Sequence, residues 1–185
     1  METSIIISGF GGQGTLFAGQ VLAYAAMDSG KDVTWIPSYG PEMRGGTANC
    51  TVIISDQSIG SPLVNKPNMV IALNLPSLDK YENLISPGGV IVVNSSLINR
   101  RMTRDDVLDV YIPAVKIAQQ LGNSRMANMV LVGALITINP VLPLESVKQA
   151  LSTHLPERHK HTLPINFEAM DQGAAFAMEA IAKAG

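Results

Sequence analysis

The first forty residues alternate between apolar segments and breaks that contain glycine or proline. A β-branched run covers Ser4 to Ser8, and apolar residues then recur at helical spacing from Thr15 to Ser29. A second strand-like segment runs from Val33 to Ile36 and ends at Pro37. The pattern predicts a strand, a glycine turn, a helix and a second strand, which together form a Rossmann-like βαβ unit with a right-handed crossover.

Short apolar runs and turn residues continue to alternate through the rest of the first hundred residues. The pattern predicts a strand over Thr47 to Ile54, a turn over Asp56 to Gly60, a strand over Met69 to Leu73, a helix over Leu78 to Ile85 and a strand over Val90 to Val93. Strands that alternate with helices indicate a largely parallel sheet with helices on both of its faces.

The second half of the chain is richer in helical patterns. They comprise Thr103 as a candidate helix N-cap, a short strand near Val110 to Ile112, and helices over Ala114 to Leu121, Met126 to Ile138, Leu144 to Leu151 and Asn166 to Lys183. A chain of 185 residues has the length of one domain. The predicted fold of residues 1–185 is therefore a single α/β domain of three α/β/α layers, with a largely parallel sheet and a helical C-terminal part.

Charged residues are scarce and unevenly placed. They make up 15% of the chain, against a usual share of roughly 25%. Between Val33 and Ser55 only Glu42 and Arg44 carry charge. Because the centres of stable protein interfaces are depleted of charge, we expect a chain that works against partner proteins. The alternative is a small enzyme with a well-buried core.

Composition also excludes several classes of protein. A net charge of −2 argues against non-specific nucleic-acid binding, which needs a surplus of cations. The longest apolar run, Met129 to Ile138, is about half of the ~20 residues that cross a bilayer, and the N-terminus lacks the positive start of a secretory signal. A cytoplasmic protein without a membrane span is expected. The single cysteine, Cys50, excludes an internal disulfide and an iron–sulfur cluster or cysteine-based zinc site held by this chain alone.

A glycine-rich motif lies between the first predicted strand and the first helix. It consists of Gly9, Phe10, Gly11, Gly12, Gln13 and Gly14 and matches the pattern G-x-G-x-x-G. Glycines allow a backbone to approach a pyrophosphate closely, and the N–H groups at a helix start favour an anion. The motif therefore predicts a site for a phosphate-bearing ligand or for a partner segment; the alternative is a tight turn without a ligand.

The surrounding residues disfavour the dinucleotide NAD as that ligand. An NAD site places an acidic residue at the end of the second strand, where it binds the ribose hydroxyls. Here that position holds Ile36, Pro37 and Ser38, while Asp32 precedes the strand and Glu42 lies beyond it. A phosphate-bearing ligand of another kind, or a partner's loop, fits this sequence better.

A second glycine-rich segment, SYGPEMRGG at residues 38–46, follows the second strand and is predicted to be a loop. Open α/β sheets bind ligands at the carboxyl ends of their strands, so this loop is well placed for a ligand or a partner. An ion pair of Glu42 with Arg44 that has no further function is the alternative. The interface residues assigned to the loop are Ser38, Tyr39, Glu42, Arg44, Gly45 and Gly46.

Three other groups of residues are interpreted as structural. The arginine cluster (Arg100, Arg101, Arg104) could grip phosphates, but a solvated surface explains it better. The three histidines (His154, His159, His161) lack the spacing of a metal cage and stand among charged residues, which indicates a solvated turn. Cys50 lies among strand formers and is interpreted as a small buried side chain rather than a nucleophile. No catalytic residue and no metal ligand are assigned.

Five segments are distinctive when taken together: GFGGQG at 9–14, SYGPEMRGG at 38–46 followed by TANC, NLPSLDKY at 74–81, PGG at 87–89 and LGNSRMANMVLVGAL at 121–135. They resemble the gamma subunit of the 2-oxoacid:ferredoxin oxidoreductases, the family of pyruvate, 2-oxoglutarate and ketoisovalerate oxidoreductases. The likeness spans nearly the whole chain.

This resemblance implies a subunit of a heteromeric enzyme that decarboxylates a 2-oxoacid, reduces ferredoxin and forms an acyl-coenzyme A. It implies thiamine diphosphate, magnesium and iron–sulfur clusters on partner subunits (alpha, beta and delta), and for this chain a supporting role at the active-site entrance and a share in seating coenzyme A. The isolated chain is then not expected to be catalytic, and a homo-oligomer in isolation would cover its apolar face.

Two other functions are kept as alternatives. One is a stand-alone nucleotide-binding domain or dehydrogenase, which would turn over substrate without other subunits. The other is a scaffold that binds no ligand, for which titration with coenzyme A would give no heat. Among the oxoacids, 2-oxoglutarate or a branched-chain oxoacid is favoured over pyruvate.

Overall fold

The chain forms one mixed β-sheet between layers of helices. The computed structural model describes residues 1–39 and 46–184, and the loop residues Glu42, Arg44 and Gly45 lie outside these ranges. The strands are β1 (Glu2–Phe10), β2 (Asp32–Tyr39), β3 (Thr47–Ser55), β4 (Met69–Ala72), β5 (Val90–Asn94) and β6 (Leu108–Ile112); the helices are α1 (Thr15–Asp28), α2 (Leu75–Tyr81), α3 (Ala114–Gln120), α4 (Ala127–Ile138), α5 (Leu144–His154) and α6 (Leu163–Ala184). Two 3₁₀ segments, Ser124–Met126 and Glu157–Thr162, precede α4 and α6.

The strand order is β2-β3-β1-β4-β5-β6. Strand β1 pairs in parallel with β4, β4 with β5 and β5 with β6, while β3 is antiparallel to both β1 and β2. The predicted α/β fold with a largely parallel sheet is confirmed. However, β1 and β2 are not neighbours, since β3 is inserted between them. The first βαβ unit is therefore split, a feature that its own thirty residues do not encode.

The two faces of the sheet are covered unequally. One face packs against α1 and against α3 to α6, with the alternate residues Ile5, Ile7, Val52, Ile71 and Val92 fully buried there. The other face packs against α2 and the segment 95–107, and contributes a smaller apolar cluster around Ile6, Val70 and Ile91. This alternation follows from the period of two residues in a strand. The prediction of helices on both faces is confirmed. On the second face, α2 is the one helix among the described residues that packs against the smaller cluster.

Several element ends differ from the sequence prediction for local reasons. Strand β2 continues through Pro37 to Tyr39, so Ser38 and Tyr39 belong to a strand rather than to the predicted loop. Proline is tolerated there because β2 is an edge strand of the sheet. Helix α2 starts at Leu75, earlier than predicted, because Asn74 caps it and Pro76 fits a first helical turn.

Thr103 does not start a helix, contrary to the prediction. Its N–H and its hydroxyl both donate to the carboxylate of Glu82, at 2.6 and 3.0 Å. These bonds attach the segment that follows β5 to the end of α2. Thr103 thus has the hydrogen-bonding chemistry of a capping residue, but it uses that chemistry for a long-range contact.

Helices α4 and α6 approach each other closely enough to require glycine. A Cβ atom at Gly133 would lie 2.0 Å from the carbonyl oxygen of Met170, and one at Gly173 would lie 1.9 Å from that of Val130. This contact fixes α4, whose N-terminal end borders the candidate site described below. Among the described residues, no helix is long and apolar enough to cross a membrane.

Candidate functional site

The glycine motif forms the connection from β1 to α1. Gly9 and Phe10 are the last residues of β1, while Gly12 and Gly14 adopt left-handed backbone angles, with φ of 94° and 75°. Residues other than glycine rarely adopt such angles, so the motif glycines have a conformational role here. Gly14 is the N-cap of α1. The predicted succession of strand, glycine turn and helix is confirmed.

Hydrogen bonds to Gly46, Gln13 and Asn128 are among those that hold this turn in place. The N–H of Gly11 donates to the carbonyl of Gly46 at 2.9 Å, so the end of the second glycine-rich segment lies against the first. The N–H of Phe10 donates to Oε1 of Gln13 at 2.6 Å. These two bonds occupy loop N–H groups that a dinucleotide phosphate would otherwise bind. Gly12 is the motif glycine that lines the cavity described below.

The third bond ties the turn to α4. The side-chain amide of Asn128 donates to the carbonyl of Gly14 at 3.2 Å, between residues 114 positions apart in sequence. Its Oδ1 accepts from the N–H of Met129 at 2.9 Å, which fixes the orientation of the amide. A Cβ at Gly14 would lie 2.4 Å from this amide nitrogen. The start of α1 and the start of α4 are therefore held in a fixed relation.

The sheet opens a crevice next to this turn. After β1 the chain crosses through α1 to β2 at one edge, whereas after β4 it crosses through α2 to β5 on the other side. Chain connections thus diverge between the carboxyl ends of β1 and β4. In open α/β sheets this divergence leaves a crevice that receives ligands.

A cavity of about 320 Å³ occupies this position. Arg125 is the one ionised side chain of its lining, and Asn94 and Ser124 add neutral polar groups. Leu73, Leu97 and Val115 give it an apolar wall. The full lining is Gly12, Gln13, Leu73, Asn94, Leu97, Val115, Ser124, Arg125 and Ala127.

A neutral hydrogen-bonded network borders the crevice. Asn74, the N-cap of α2, accepts from the N–H and the hydroxyl of Ser77 at 3.0 and 2.7 Å. Ser77 and Ser8 are joined through their hydroxyls at 2.9 Å, and Asn94, which lines the cavity, donates to the carbonyl of Leu73 at 3.2 Å. These polar groups satisfy one another and carry no charge.

Sequence reasoning identified the glycine turn but missed Arg125. The residue lies in the short 3₁₀ segment before α4, where Oδ1 of Asn123 accepts from its N–H at 3.1 Å. One signal was available, since Arg125 is the only charged residue between Lys116 and Glu145. Of the predicted interface loop, Ser38 and Tyr39 lie exposed at the end of β2 and Gly46 contacts the glycine turn.

Arg100 and Arg104 of the arginine cluster hold parts of the fold together, whereas the sequence interpretation predicted a solvated surface. Arg100 pairs with Asp79 and with Glu82, and Arg104 pairs with Asp106 and donates to the carbonyls of Glu82 and Ile85. Burial works to raise the pKa of Glu82, but the hydrogen bonds from Thr103 and Arg100 outweigh it and lower that pKa overall. These guanidinium groups are neutralised within the fold rather than presented to a ligand.

The histidines and the cysteine lie away from the crevice. His154, at the end of α5, stacks on Tyr24 with ring centres 4.0 Å apart and contacts Asp28 at 3.0 Å, whereas His159 and His161 are exposed. Among the residues with described positions, no group of side chains could hold a metal ion. Burial raises the pKa of the Cys50 thiol to about 12, so the thiolate is suppressed and the interpretation as a buried side chain is confirmed.

Comparison with known proteins assigns the chain to a family. Residues 4–176 match the family described as Pyruvate ferredoxin/flavodoxin oxidoreductase. The chain belongs to this family. Ketoisovalerate oxidoreductase subunit VorA of Methanothermobacter thermautotrophicus is 37% identical over 97% of the chain, and 2-oxoglutarate synthase subunit KorC of Methanocaldococcus jannaschii is 36% identical over 97%. The resemblance inferred from the sequence motifs is confirmed.

These relatives differ in length. The chain spans 37% of the VorA protein but 96% of the KorC protein. Among solved structures, the gamma subunit of keto/oxoacid ferredoxin oxidoreductase from Geobacter sulfurreducens is 30% identical, with a TM-score of 0.80 over 96% of this chain and 99% of that one. The 2-oxoglutarate:ferredoxin oxidoreductase from Magnetococcus marinus shares the fold, with a TM-score of 0.87 at 24% identity over 31% of its length.

Proposed function

We propose that this chain is the gamma subunit of a heteromeric 2-oxoacid:ferredoxin oxidoreductase, an enzyme that oxidatively decarboxylates a 2-oxoacid to an acyl-coenzyme A and reduces ferredoxin. The observation that carries this proposal is the match over nearly the full length of two separate subunits, 96% of the KorC subunit and 99% of the Geobacter gamma subunit. In VorA, the matching region is part of a longer polypeptide. When a region is part of a longer polypeptide in one relative and a separate chain in another, the separate chain is expected to associate with a protein that corresponds to the rest of the longer polypeptide.

The chain's own residues support a division of labour among subunits. Iron–sulfur clusters need several cysteine thiolates, and this chain has one cysteine, which is buried. The sequence lacks a Gly-Asp-Gly segment of the kind that the family uses for magnesium and thiamine diphosphate. We therefore assign thiamine diphosphate, magnesium and the clusters to alpha, beta and delta partner subunits in a cytoplasmic complex. Reducing equivalents reach ferredoxin through those partners.

The crevice beside the glycine turn suits coenzyme A better than NAD. Gly12, which has a left-handed backbone, lines the cavity, and Arg125 adds a positive charge for a phosphate. The apolar wall of Leu97 and Val115, next to the amide of Asn94, matches an aliphatic arm that contains amide groups. The end of β2 still offers no acidic side chain for an NAD ribose within the described residues.

In this role the chain binds and orients rather than reacts. Coenzyme A, when bound, supplies the thiol that accepts the acyl group. Gly12 contributes backbone to the crevice, and Asn128 holds the turn through its bond to the carbonyl of Gly14. The lining of the cavity contains no carboxylate that would repel the ligand. The loop residues Tyr39, Glu42 and Arg44 are proposed to order the contact with the neighbouring subunit.

The substrate is proposed to be 2-oxoglutarate or a branched-chain 2-oxoacid. Relatives named for ketoisovalerate and for 2-oxoglutarate match this chain almost equally, at 37% and 36% identity. The oxoacid side chain is expected to contact mainly the partner subunits. The gamma subunit alone therefore leaves both substrates open.

Affinity purification of the tagged chain from its native cell tests the proposal. We expect larger subunits to co-purify and the complex to reduce ferredoxin when a 2-oxoacid and coenzyme A are added, with the oxoacid panel revealing the substrate. The untagged parent strain and the chain purified without partners serve as controls. A soluble monomer that catalyses redox turnover unaided would contradict the proposal and favour the stand-alone dehydrogenase.

A further inference from the structure

We propose that Arg125 is a specificity-determining residue of the crevice, where its guanidinium binds the pyrophosphate of coenzyme A beside Gly12. The inference rests on the proposed function and names the residue that makes the crevice selective for a phosphate-bearing acyl acceptor. Arg125 would discriminate between acceptors that carry the pyrophosphate and acceptors that lack it.

The placement of Arg125 is the first argument. Helix α3 ends at Gln120 and is followed by Gly122, whose φ is 85°. The side chain of Asn123 caps the next turn by accepting from the N–H of Arg125 at 3.1 Å. Three residues later, Asn128 donates to the carbonyl of Gly14. The backbone of Arg125 is therefore fixed relative to the glycine turn, and both border the same cavity.

The charge environment is the second argument. Arg100 and Arg104 are committed to carboxylates of the fold, whereas the Arg125 guanidinium pairs with no carboxylate within residues 1–39 and 46–184. It is exposed at the mouth of a cavity whose other lining residues are uncharged. An arginine in such a place adds a planar set of donors that matches phosphate oxygens.

The mixed lining of the cavity favours the pyrophosphate over other anionic groups of the ligand. The lining combines the backbone of Gly12 and the guanidinium of Arg125 with the apolar side chains of Leu97 and Val115. In coenzyme A the pyrophosphate is joined directly to the aliphatic pantetheine arm, while the 3′-phosphate lies on the far side of the ribose. A single cavity with both kinds of lining therefore suits the pyrophosphate together with the arm.

Acceptor selectivity of the assembled oxidoreductase tests this assignment. The wild type is compared with Arg125→Gln, Arg125→Lys and the matched control Arg158→Gln, an exposed arginine outside the crevice lining. The acceptors are coenzyme A, 3′-dephospho-coenzyme A, which keeps the pyrophosphate, and pantetheine, which has no phosphate.

We expect R125Q to lower kcat/KM about 10- to 100-fold for both pyrophosphate-bearing acceptors, mainly through KM, because a charge-assisted hydrogen bond is lost. Pantetheine use should not change, R125K should recover part of the loss, and R158Q should match the wild type. An equal loss with all three acceptors, no loss with any, or a loss confined to coenzyme A itself would each overturn the assignment.

A substitution in the glycine turn distinguishes a failure of the Arg125 assignment from a failure of the proposed function. Gly12→Val distorts the backbone of the turn without touching the arginine, because Gly12 has a φ of 94°. If G12V weakens coenzyme A use while R125Q does not, only the role of Arg125 fails. If neither substitution affects coenzyme A use, the crevice is not its site and the proposed function of the turn fails as well.

Discussion

Arginines occur in two regions near the carboxyl end of the sheet, and they are used in opposite ways. In the anchor region, comprising residues 79–82 and 95–106, Arg100 and Arg104 are paired with Asp79, Glu82 and Asp106. In the crevice, Arg125 faces neutral amides, glycine backbone and apolar side chains. Arg100 and Arg104, which stand close together in the sequence, are thus committed to carboxylates of the fold, while the isolated Arg125 has no such partner among the described residues.

Loss of the central carboxylate of the anchor should have the largest effect on stability. Glu82 is buried and receives bonds from Arg100 and from both donors of Thr103. Glu82→Ala is expected to lower the free energy of unfolding by about 2 to 3 kcal/mol, because it leaves these donors without their acceptor. Urea denaturation followed by circular dichroism measures this change.

If the anchor region and the crevice have different roles, the anchor region contributes to stability and not to coenzyme A binding. An E82A complex assembled below its unfolding midpoint should therefore keep the wild-type KM for coenzyme A. A raised KM in a folded E82A complex would show that the anchor region takes part in ligand binding. Glu82→Gln, which retains an acceptor oxygen, should cost less stability than E82A.

The junction of the glycine turn with α4 should give the next largest effect. Gly14→Ala places a methyl group 2.4 Å from the Asn128 amide nitrogen at a φ of 75°, and we expect a loss of about 2 kcal/mol. Asn128→Ala alone should cost about 1 kcal/mol through the lost hydrogen bond.

A double-mutant cycle checks whether these two residues act on each other. Because N128A removes the atoms that G14A strikes, the double variant should lose less stability than the two single losses added together. Strict additivity of the two losses would mean that the contact between Gly14 and Asn128 does not hold the turn.

These tests concern contacts that only the folded chain reveals. The glycine turn was predictable because strand, glycines and helix are adjacent in sequence, so local backbone requirements identify it. The insertion of β3 between β1 and β2 was not predictable, since strand pairing depends on partners distant in sequence. Arg125 was missed for the same reason. Its place in the candidate site depends on Gly12 and Asn94, which line the same cavity only in the folded chain.

The apolar pattern predicted elements better than element ends. Each predicted strand and long helix has a counterpart, because burial sets their periodicity. The ends depend on single side chains with several bonding options. Thr103 donates to the carboxylate of Glu82 instead of starting a helix. Asn74 caps α2, which therefore begins at Leu75 rather than at the predicted Leu78.

Acid should weaken the ion pairs of the anchor region before it affects the neutral network beside the crevice. The side chains of that network (Ser8, Asn74, Ser77, Asn94) do not ionise. The pKa of Glu82 is lowered from its ordinary value of 4.5 in the folded chain, so folding favours the carboxylate. Its contribution is complete above pH 4.5 and is lost as the pH falls through the lowered folded value. The hydrogen bond from Arg104 likewise lowers the pKa of Asp106, which adds to the same acid-side loss.

Urea midpoints measured from pH 7 down to pH 3 test this sign. The wild type should lose stability steadily below about pH 4.5, and E82Q should show a shallower decline, because one of the titrating carboxylates is gone. Equal slopes for the two proteins would mean that Glu82 is not ionised preferentially in the folded state.

The smallest expected effect concerns the third arginine of the anchor. Arg101 lies 4.0 Å above the ring of Tyr111, whose hydroxyl accepts from the N–H of Met102 at 2.8 Å. Arg101→Ala should cost about 0.5 to 1 kcal/mol, the size of a cation–π contact at a partly exposed site. Thermal unfolding resolves this loss, and Tyr111→Leu should abolish the difference between Arg101 and alanine.

The most direct test of the central claim is acyl-coenzyme A formation by the oxidoreductase assembled with Gly12→Val. Gly88→Val is a matched control, since Gly88 has a φ of 73°, equally open surroundings and a position outside the crevice lining. The account predicts that G12V lowers kcat/KM for coenzyme A by about tenfold or more while G88V does not. Wild-type kinetics in a fully assembled G12V complex would contradict it.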